Sequence, residues 1–119
     1  HVKNTLHFLP HNAERGREVQ VKKLSENLLA MGLKQTAYFN PYVRIEVSPD
    51  YEPCDKAGYF LKNHNTSDSF LFWYFGASFY QCSMFDFTNE DAVKYFKKIL
   101  QRSVDLGFKG WMQDLNSGL

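Results

Sequence analysis

One acidic side chain near the end of the chain stands where it could do chemistry. Asp114 follows a short aromatic and apolar run, Gly110-Trp-Met-Gln113, and precedes a polar turn of Asn116, Ser117 and Gly118. The pattern predicts a strand that ends on a carboxylate. Side chains converge on ligands at the carboxyl ends of parallel strands, so Asp114 is a candidate for chemistry. An acid there can equally form a turn or cap a following helix.

A helix is predicted directly before this strand. Thr88-Asn-Glu-Asp91 has the pattern of a helix start, with a threonine at the cap and acids in the first turn. Gly107 is expected to end the helix. The residues between them that recur at helical spacing are Ala92, Phe96, Ile99, Ser103 and Leu106.

The first half of the chain predicts a second helix and a strand. A helix is expected from Arg17, ending at Gly32, and a strand from Leu33 to Phe39 that stops at Asn40-Pro41. Residues 2–9 alternate loosely and predict a further short strand. One face of the helix is apolar, with Val21, Leu24, Leu28 and Met31, and the other carries Lys22, Lys23, Glu26 and Asn27.

A long excursion is predicted between Asn40 and the second helix. Its first part is expected to be an irregular loop, broken by Pro49, Asp50, Pro53 and Gly58. Two aromatic runs, residues 70–75 and 79–85, flank Gly76-Ala77-Ser78 and predict a β-hairpin. The order of elements indicates an α/β fold with parallel strands, in an open sheet or a closed barrel.

Composition excludes several classes of function. The 119 residues suffice for one domain, and 44% of them are hydrophobic, enough for a core. A net charge of +1 without a basic stripe speaks against nucleic-acid binding. The chain has no apolar run of membrane-spanning length, and its first residues lack a signal-peptide pattern, so we expect a soluble protein without membrane partners. Cys54 and Cys82 are expected to be buried thiols, and the histidines have no metal-ligand spacing.

Four segments along the chain carry recognisable motifs: Tyr38-Phe-Asn-Pro-Tyr-Val43, Ala57-Gly-Tyr-Phe-Leu-Lys62, Phe85-Asp-Phe-Thr-Asn-Glu-Asp-Ala92 and Gly110-Trp-Met-Gln-Asp114. They resemble successive signatures of glycoside hydrolase family 31, and most closely those of its sulfoquinovosidase-like α-glycosidases. The similarity extends from about Leu24 to Asp114, in the family's order and at family-like spacings.

The resemblance implies a (β/α)8 TIM barrel and a retaining α-glycosidase that needs no metal or cofactor. Asp114 falls on the family's nucleophile, at the end of the fourth strand. Such a barrel needs roughly 250 residues. We therefore expect residues 1–119 to be a fragment of the catalytic barrel domain: about strands 2 to 4 with two helices, and a β-hairpin excursion between strand 3 and its helix. The family's acid/base lies downstream, so the fragment alone should not hydrolyse its α-glycoside substrate.

Four further residues are candidates for substrate binding, each with a structural alternative. Trp111 packs in the barrel or lies near the sugar, and Asn40 and Tyr42 shape a loop or line the pocket. Asp86 organises the turn before the helix or touches substrate.

One departure from the family pattern keeps other functions open. Ser117 stands where the family has a glutamate. Besides an active glycosidase, the sequence therefore allows an inactive homologue or carbohydrate-binding relative. It also allows an unrelated α/β interaction module in which Asp114 is a structural cap.

Overall fold

The computed structural model describes residues 18–75 and 79–113, which form three helices and five strands. The strand predicted at residues 2–9, the turn at 76–78 and the segment from Asp114 onward lie outside the described residues. The described elements are α1 (Glu18–Ala30), β1 (Thr36–Phe39), β2 (Tyr42–Arg44), α2 (Tyr51–Ala57), β3 (Phe72–Phe75), β4 (Phe79–Met84), α3 (Glu90–Asp105) and β5 (Gly110–Gln113).

β1 and β5 are neighbouring parallel strands, as predicted. β1 pairs with β5 in an unbroken register that runs from Thr36 opposite Gly110 to Phe39 opposite Gln113. The chain between them includes α3, which is the helix of a parallel crossover. Both strands therefore end at the same edge of this small sheet.

The hairpin prediction is confirmed, and its sheet has a third strand. β3 pairs antiparallel with β4 from Phe72 opposite Cys82 to Phe75 opposite Phe79. β2 pairs with the other edge of β4, with Tyr42 opposite Met84. β2 could not be predicted from sequence, because its three residues are too few for a periodic pattern and are ordered by a partner strand some forty residues away.

The prediction of an irregular loop after Asn40 is wrong, because a third helix, α2, lies within that segment. Two of the residues predicted to interrupt regular structure instead lie at the ends of this helix. Asp50 occupies its N-cap position, and Gly58 ends it with a φ of 75°. Pro53 lies in its first turn, where the missing N–H is not needed by the helix.

α3 begins one residue later than the sequence suggested. Asn89, not Thr88, is the N-cap, and its side-chain Oδ1 accepts from the N–H groups of Asp91 and Ala92 at 2.9 and 3.4 Å. An asparagine carbonyl satisfies free helix amides as well as a hydroxyl does. The inward face of α3 is as predicted, since Ala92, Phe96, Ile99, Ser103 and Leu106 are all buried.

α1 does not bury the apolar face that its sequence suggested. Leu24 and Met31 are 52% and 72% exposed, whereas Ser25 is only 4% exposed. The Ser25 hydroxyl donates to Oε1 of Gln35 at 2.6 Å. A Cβ added to Gly107 would come within 3.0 Å of the Ser25 Cβ. α1 and Gly107 approach each other so closely at Ser25 that only a small side chain fits there. The apolar periodicity of α1 does not reveal this contact.

The core lies between β1, α2 and α3, where it joins the parallel pair to the excursion. Cys54 and Cys82 are buried free thiols, as predicted. No helix among the described residues combines the length and the apolar character needed to cross a membrane. The core cluster is formed by Ala37, Phe39, Val43, Cys54, Phe60, Phe85, Ala92, Phe96 and Ile99.

Candidate functional site

The backbone at the carboxyl end of β1 brings three of the predicted site residues together. Pro41 follows directly after Asn40, and its carbonyl accepts from the Phe85 N–H at 3.1 Å. Tyr42 and Asp86 are the next residues on the two chain segments that this bond joins. Asn40, Tyr42 and Asp86 therefore surround one backbone contact, although Asp86 is more than forty residues away in the sequence.

Asn40 is the polar group buried at this strand end. The residue is 3% exposed, and its Oδ1 has no hydrogen-bond partner among the described residues. A buried acceptor without a donor costs about 1–3 kcal/mol, so such atoms are rare unless another group reaches them. The buried and unpaired oxygen of Asn40 is therefore consistent with a polar site at this strand end.

Tyr42 is half-buried and packs within the excursion. Its ring meets that of Phe72 edge to face at a centroid distance of 4.9 Å, and that of Tyr74 at 5.6 Å. These contacts bind the start of β2 to the hairpin. They give Tyr42 a packing role, while its contribution to sugar binding stays a prediction.

Asp86 organises the turn into α3, which was one of the two roles expected for it. Its Oδ1 accepts from both the N–H and the hydroxyl of Thr88, at 3.0 and 2.6 Å. This local pair fixes the chain between Phe85 and the Asn89 cap. The substrate-binding role predicted for Asp86 stays untested by these contacts.

Trp111 lies against α3. In the β1–β5 register it stands opposite Ala37, a member of the core cluster on the helix side of the sheet. Its indole N–H donates to the Ser103 hydroxyl of α3 at 2.7 Å, and the residue is 45% exposed. The ring therefore anchors β5 to the helix layer, and a place near the sugar stays a prediction for its exposed part.

Asp114, the predicted nucleophile, lies outside the described residues. The described part of β5 reaches Gln113, which stands opposite Phe39. The strand that was expected to deliver Asp114 is thus present up to the residue before it. The described part of β5 thus ends opposite Phe39, the residue before Asn40.

A buried ion pair that the sequence did not reveal fixes the excursion to α3. The guanidinium of Arg102 donates to both carboxylate oxygens of Asp50, and the Tyr95 hydroxyl donates to Oδ1 at 2.8 Å. The hydrogen bond to Asp50 raises the pKa of Arg102 above its ordinary value. Burial, together with the bond to the Asp50 carboxylate, raises the pKa of Tyr95. No signal in the sequence relates residues some fifty positions apart.

Burial also sets the properties of the two thiols. It raises the pKa of Cys54 from 9.0 to about 12, with a further contribution from the Asp50 carboxylate. It raises the pKa of Cys82 to about 11. Both groups are therefore protonated at neutral pH and have none of the thiolate character of a nucleophilic cysteine.

The polar groups at the strand end suit binding and proton chemistry on an uncharged polar ligand. Within residues 18–75 and 79–113, histidine, cysteine, aspartate and glutamate do not form a group of three that could hold a metal ion. The described site residues supply a carboxamide, a phenol, a carboxylate and an indole. Such groups hydrogen-bond to sugars or stack on them.

Comparison with known sequences gives one family. Residues 14–118 match the model for the glycosyl hydrolases family 31 TIM-barrel domain. The match includes α1, both parallel strands and the hairpin between them. No curated protein matches the chain.

Solved structures share the fold. A family 31 sulfoquinovosidase from E. rectale, in complex with an aza-sugar inhibitor, aligns over 78% of this chain with a TM-score of 0.66 and 31% identity. A family 31 dextranase from Flavobacterium johnsoniae, in complex with glucose, aligns over 79% with a TM-score of 0.73 and 19% identity. A mutant of that dextranase with isomaltotriose gives the same values. The chain covers 13% of the sulfoquinovosidase and 11% of the dextranase chains.

Proposed function

Because the chain belongs to glycosyl hydrolase family 31, we propose that it is part of the catalytic barrel domain of a retaining α-glycosidase. The observation that carries the proposal is the parallel β1–β5 pair. The described part of β5 ends one residue before Asp114, at the edge where β1 delivers Asn40. In TIM-barrel enzymes this edge of the sheet carries the catalytic groups.

Asp114 is the proposed nucleophile. Its ionised carboxylate attacks the anomeric carbon of an α-glycoside while the bond to the leaving oxygen breaks, and a covalent glycosyl-enzyme forms. Water then cleaves that ester and restores the carboxylate. The second carboxyl group, which acts first as acid and then as base, stands about 5–5.5 Å from the nucleophile in retaining enzymes.

The proposed acid/base lies outside this chain. The chain covers little more than a tenth of the solved family structures that it resembles, and a full barrel needs roughly 250 residues. We therefore propose that residues 1–119 are a segment of a longer enzyme and do not turn over glycosides alone. Sustained hydrolysis by the isolated chain would contradict this part of the proposal.

The proposed substrate is a carbohydrate. The similar structures were solved with glucose, isomaltotriose and an aza-sugar inhibitor, which supports this class of ligand. The proposed sugar site is the carboxyl end of β1, which lies beside Asn40, Tyr42 and Asp86. With Trp111 they are the proposed residues of the substrate site, acting through direct contact or through the shape of the site.

One observation favours a second candidate. Ser117 replaces the family's glutamate three residues after Asp114. Loss of an acid so close to the nucleophile favours an inactive homologue or carbohydrate-binding relative that keeps the barrel and its affinity for sugar.

Covalent labelling separates these two functions. The longer protein would be incubated with an activated fluoro-sugar α-glycoside, which forms the glycosyl-enzyme but releases it slowly. For an active retaining enzyme we expect one added sugar per protein, on the peptide that contains Asp114, by mass spectrometry. A protein that binds the sugar in the same site without acquiring the label would be the inactive relative.

Matched variants locate the labelled atom. Asp114→Asn should abolish labelling and lower kcat by a factor of about 10⁴ or more, because the nucleophile itself is lost. Asp68→Asn, in an exposed turn of the excursion, should leave both unchanged. Labelling that persists in Asp114→Asn would show that another residue is the nucleophile.

A further inference from the structure

The loop between α2 and the hairpin carries the acceptor pattern for an N-linked glycan. Asn65-Thr66-Ser67 has an asparagine, a residue other than proline and a hydroxyl residue, which is the pattern that glycan transferases read. No other asparagine in the sequence is followed by this pattern. Such triplets also arise by chance, so the surroundings of Asn65 decide whether a transferase can use it.

The base of this loop is anchored, whereas its tip is exposed. Lys62 and Ser69 face each other in an antiparallel bridge at the base. The Ser69 hydroxyl also donates to Oδ1 of Asp55 in α2 at 2.5 Å. Residues 64–68, which lie between the two sides of the bridge, are all exposed. The triplet therefore stands on an outward loop whose closure does not depend on it.

The two side chains that the pattern requires are available to an enzyme. Asn65 and Ser67 make no hydrogen bond to another described residue. The Thr66 hydroxyl, which the pattern does not require, accepts from the Asp68 N–H at 3.4 Å. A transferase can therefore bind Asn65 and Ser67 without breaking a contact of the fold.

We propose that Asn65 is an N-glycosylation site of the longer protein, and that its glycan shields the neighbouring edge of the hairpin sheet. In the transfer, Nδ2 of Asn65 forms a bond to the anomeric carbon of a lipid-linked oligosaccharide. The bond from that carbon to the lipid phosphate breaks, the phosphate leaves with the electron pair, and the amide loses one proton. The modification does not depend on the proposed glycosidase activity.

The edge to be shielded is apolar and exposed. β3 lies at the edge of its sheet, in which the described strands have the order β2–β4–β3. Phe70, Leu71 and Trp73, which lie in β3 or directly before it, are all exposed. An exposed apolar edge strand is a template for pairing with another chain. A bulky, hydrophilic glycan on the loop that leads into β3 would hinder such pairing.

The cysteines are compatible with the oxidising compartment in which N-linked glycans are attached. Cys54 and Cys82 are both buried, and burial raises the pKa of each thiol. Protonated, buried thiols react poorly with oxidants, so both groups can persist there as thiols.

Mass spectrometry of the longer protein, purified from the organism that encodes it, tests the site. Peptide-N-glycosidase removes N-linked glycans and converts the modified asparagine to aspartate, so digestion in heavy-oxygen water marks that residue. We expect the mark on the peptide that contains Asn65. A protein in which Asn65 is found only unmodified would overturn the proposal.

Variants of the longer protein, expressed in secreting eukaryotic cells, test each part of the pattern. Asn65→Gln and Ser67→Ala should both abolish the glycan on this peptide, whereas Ser67→Thr should keep it, because threonine also carries the hydroxyl. Asn63→Gln is the matched control, since Asn63 lies in the same loop but outside the pattern, and it should be modified like wild type. A glycan on this peptide that persists in Asn65→Gln would contradict the assignment to Asn65.

Enzymatic removal of the glycan from the folded protein tests the shielding. Aggregation followed by light scattering should become several-fold faster after removal. Trp73→Lys places a charge on the exposed edge, so in this variant removal should have little effect. Equal aggregation of the wild-type protein with and without its glycan would overturn the shielding.

Discussion

Arg102 holds both oxygens of the Asp50 carboxylate, with Nη1 2.8 Å from Oδ2 and Nη2 2.7 Å from Oδ1. The pair joins the start of α2 to the last turn of α3, and the Asp50 side chain is 3% exposed while that of Arg102 is 34% exposed. The bidentate geometry satisfies a charge that could not otherwise be buried. The excursion that carries Tyr42 and the hairpin is thereby fixed to the helix that leads into β5.

The first prediction is that this pair stabilises the fold through the carboxylate that it neutralises. Arg102→Met should lower the free energy of unfolding by about 3 kcal/mol, because it leaves Asp50 buried without its cation. Adding Asp50→Asn should recover part of the loss, since the remaining amide carries no charge. Urea unfolding of both variants measures the difference.

An exposed ion pair provides the control for this measurement. Lys56 pairs with Glu52 on the surface of α2, where the two side chains are 73% and 75% exposed. Lys56→Met should leave the free energy of unfolding almost unchanged, because water and salt screen an exposed pair. Equal losses in the free energy of unfolding of Arg102→Met and Lys56→Met would show that the buried pair stabilises the fold no more than the exposed pair does.

The second prediction concerns the two glycines that end α1 and α3. Gly32 and Gly107 both have positive φ, 79° and 96°, but an added Cβ meets nothing within 4 Å at Gly32 and comes within 3.0 Å of Ser25 at Gly107. Gly32→Ala should cost about 1 kcal/mol of backbone strain. Gly107→Ala should cost about 2 kcal/mol or more, because α1 must also move away. Thermal unfolding of both variants and of wild type measures the two losses of stability. A loss in Gly107→Ala no larger than that in Gly32→Ala would show that α1 does not pack on Gly107.

The third prediction is a loss of stability at alkaline pH caused by the buried thiols. Burial raises the pKa of Cys54 from 9.0 to about 12, so the unfolded chain loses this proton at lower pH than the folded chain does. The unfolded state then binds fewer protons, and the free energy of unfolding falls as pH rises from 9 toward 12, by at most about 1.4 kcal/mol per pH unit for one group. Below pH 9 the thiol has no effect of this kind.

Cysteine variants test that cause. Cys54→Ala should unfold more easily than wild type below pH 9 because of its cavity, but its stability should decline less steeply above pH 9 than that of wild type. Cys82→Ala should flatten the decline only up to about pH 11, the raised pKa of Cys82. Curves of wild type and Cys54→Ala that run parallel between pH 9 and 12 would exclude this thiol as the source.

Local chemistry made several parts of the fold predictable from sequence. The buried stripe of α3, the glycine that ends it, and the paired aromatic strands follow from spacing and residue type over a few neighbouring positions. The parallel pair follows from the order of elements. The Asn89 cap was missed by one residue, because Thr88 and Asn89 are both good caps and only the bond of Thr88 to Asp86 decides between them.

The sequence by itself determined the family, the parallel strands and the residue types at their ends, since these depend on local pattern and order along the chain. Features that depend on long-range contacts were decided only by the tertiary structure. These are the packing of α1 on Gly107 through Ser25, the formation of β2 and α2 within the excursion, and the ion pair between Asp50 and Arg102. The tertiary structure also buried Asn40 beside Pro41 and Phe85 at the end of β1. A short strand, a small residue or a single charge carries no periodic signal, so its place depends on partners many residues away.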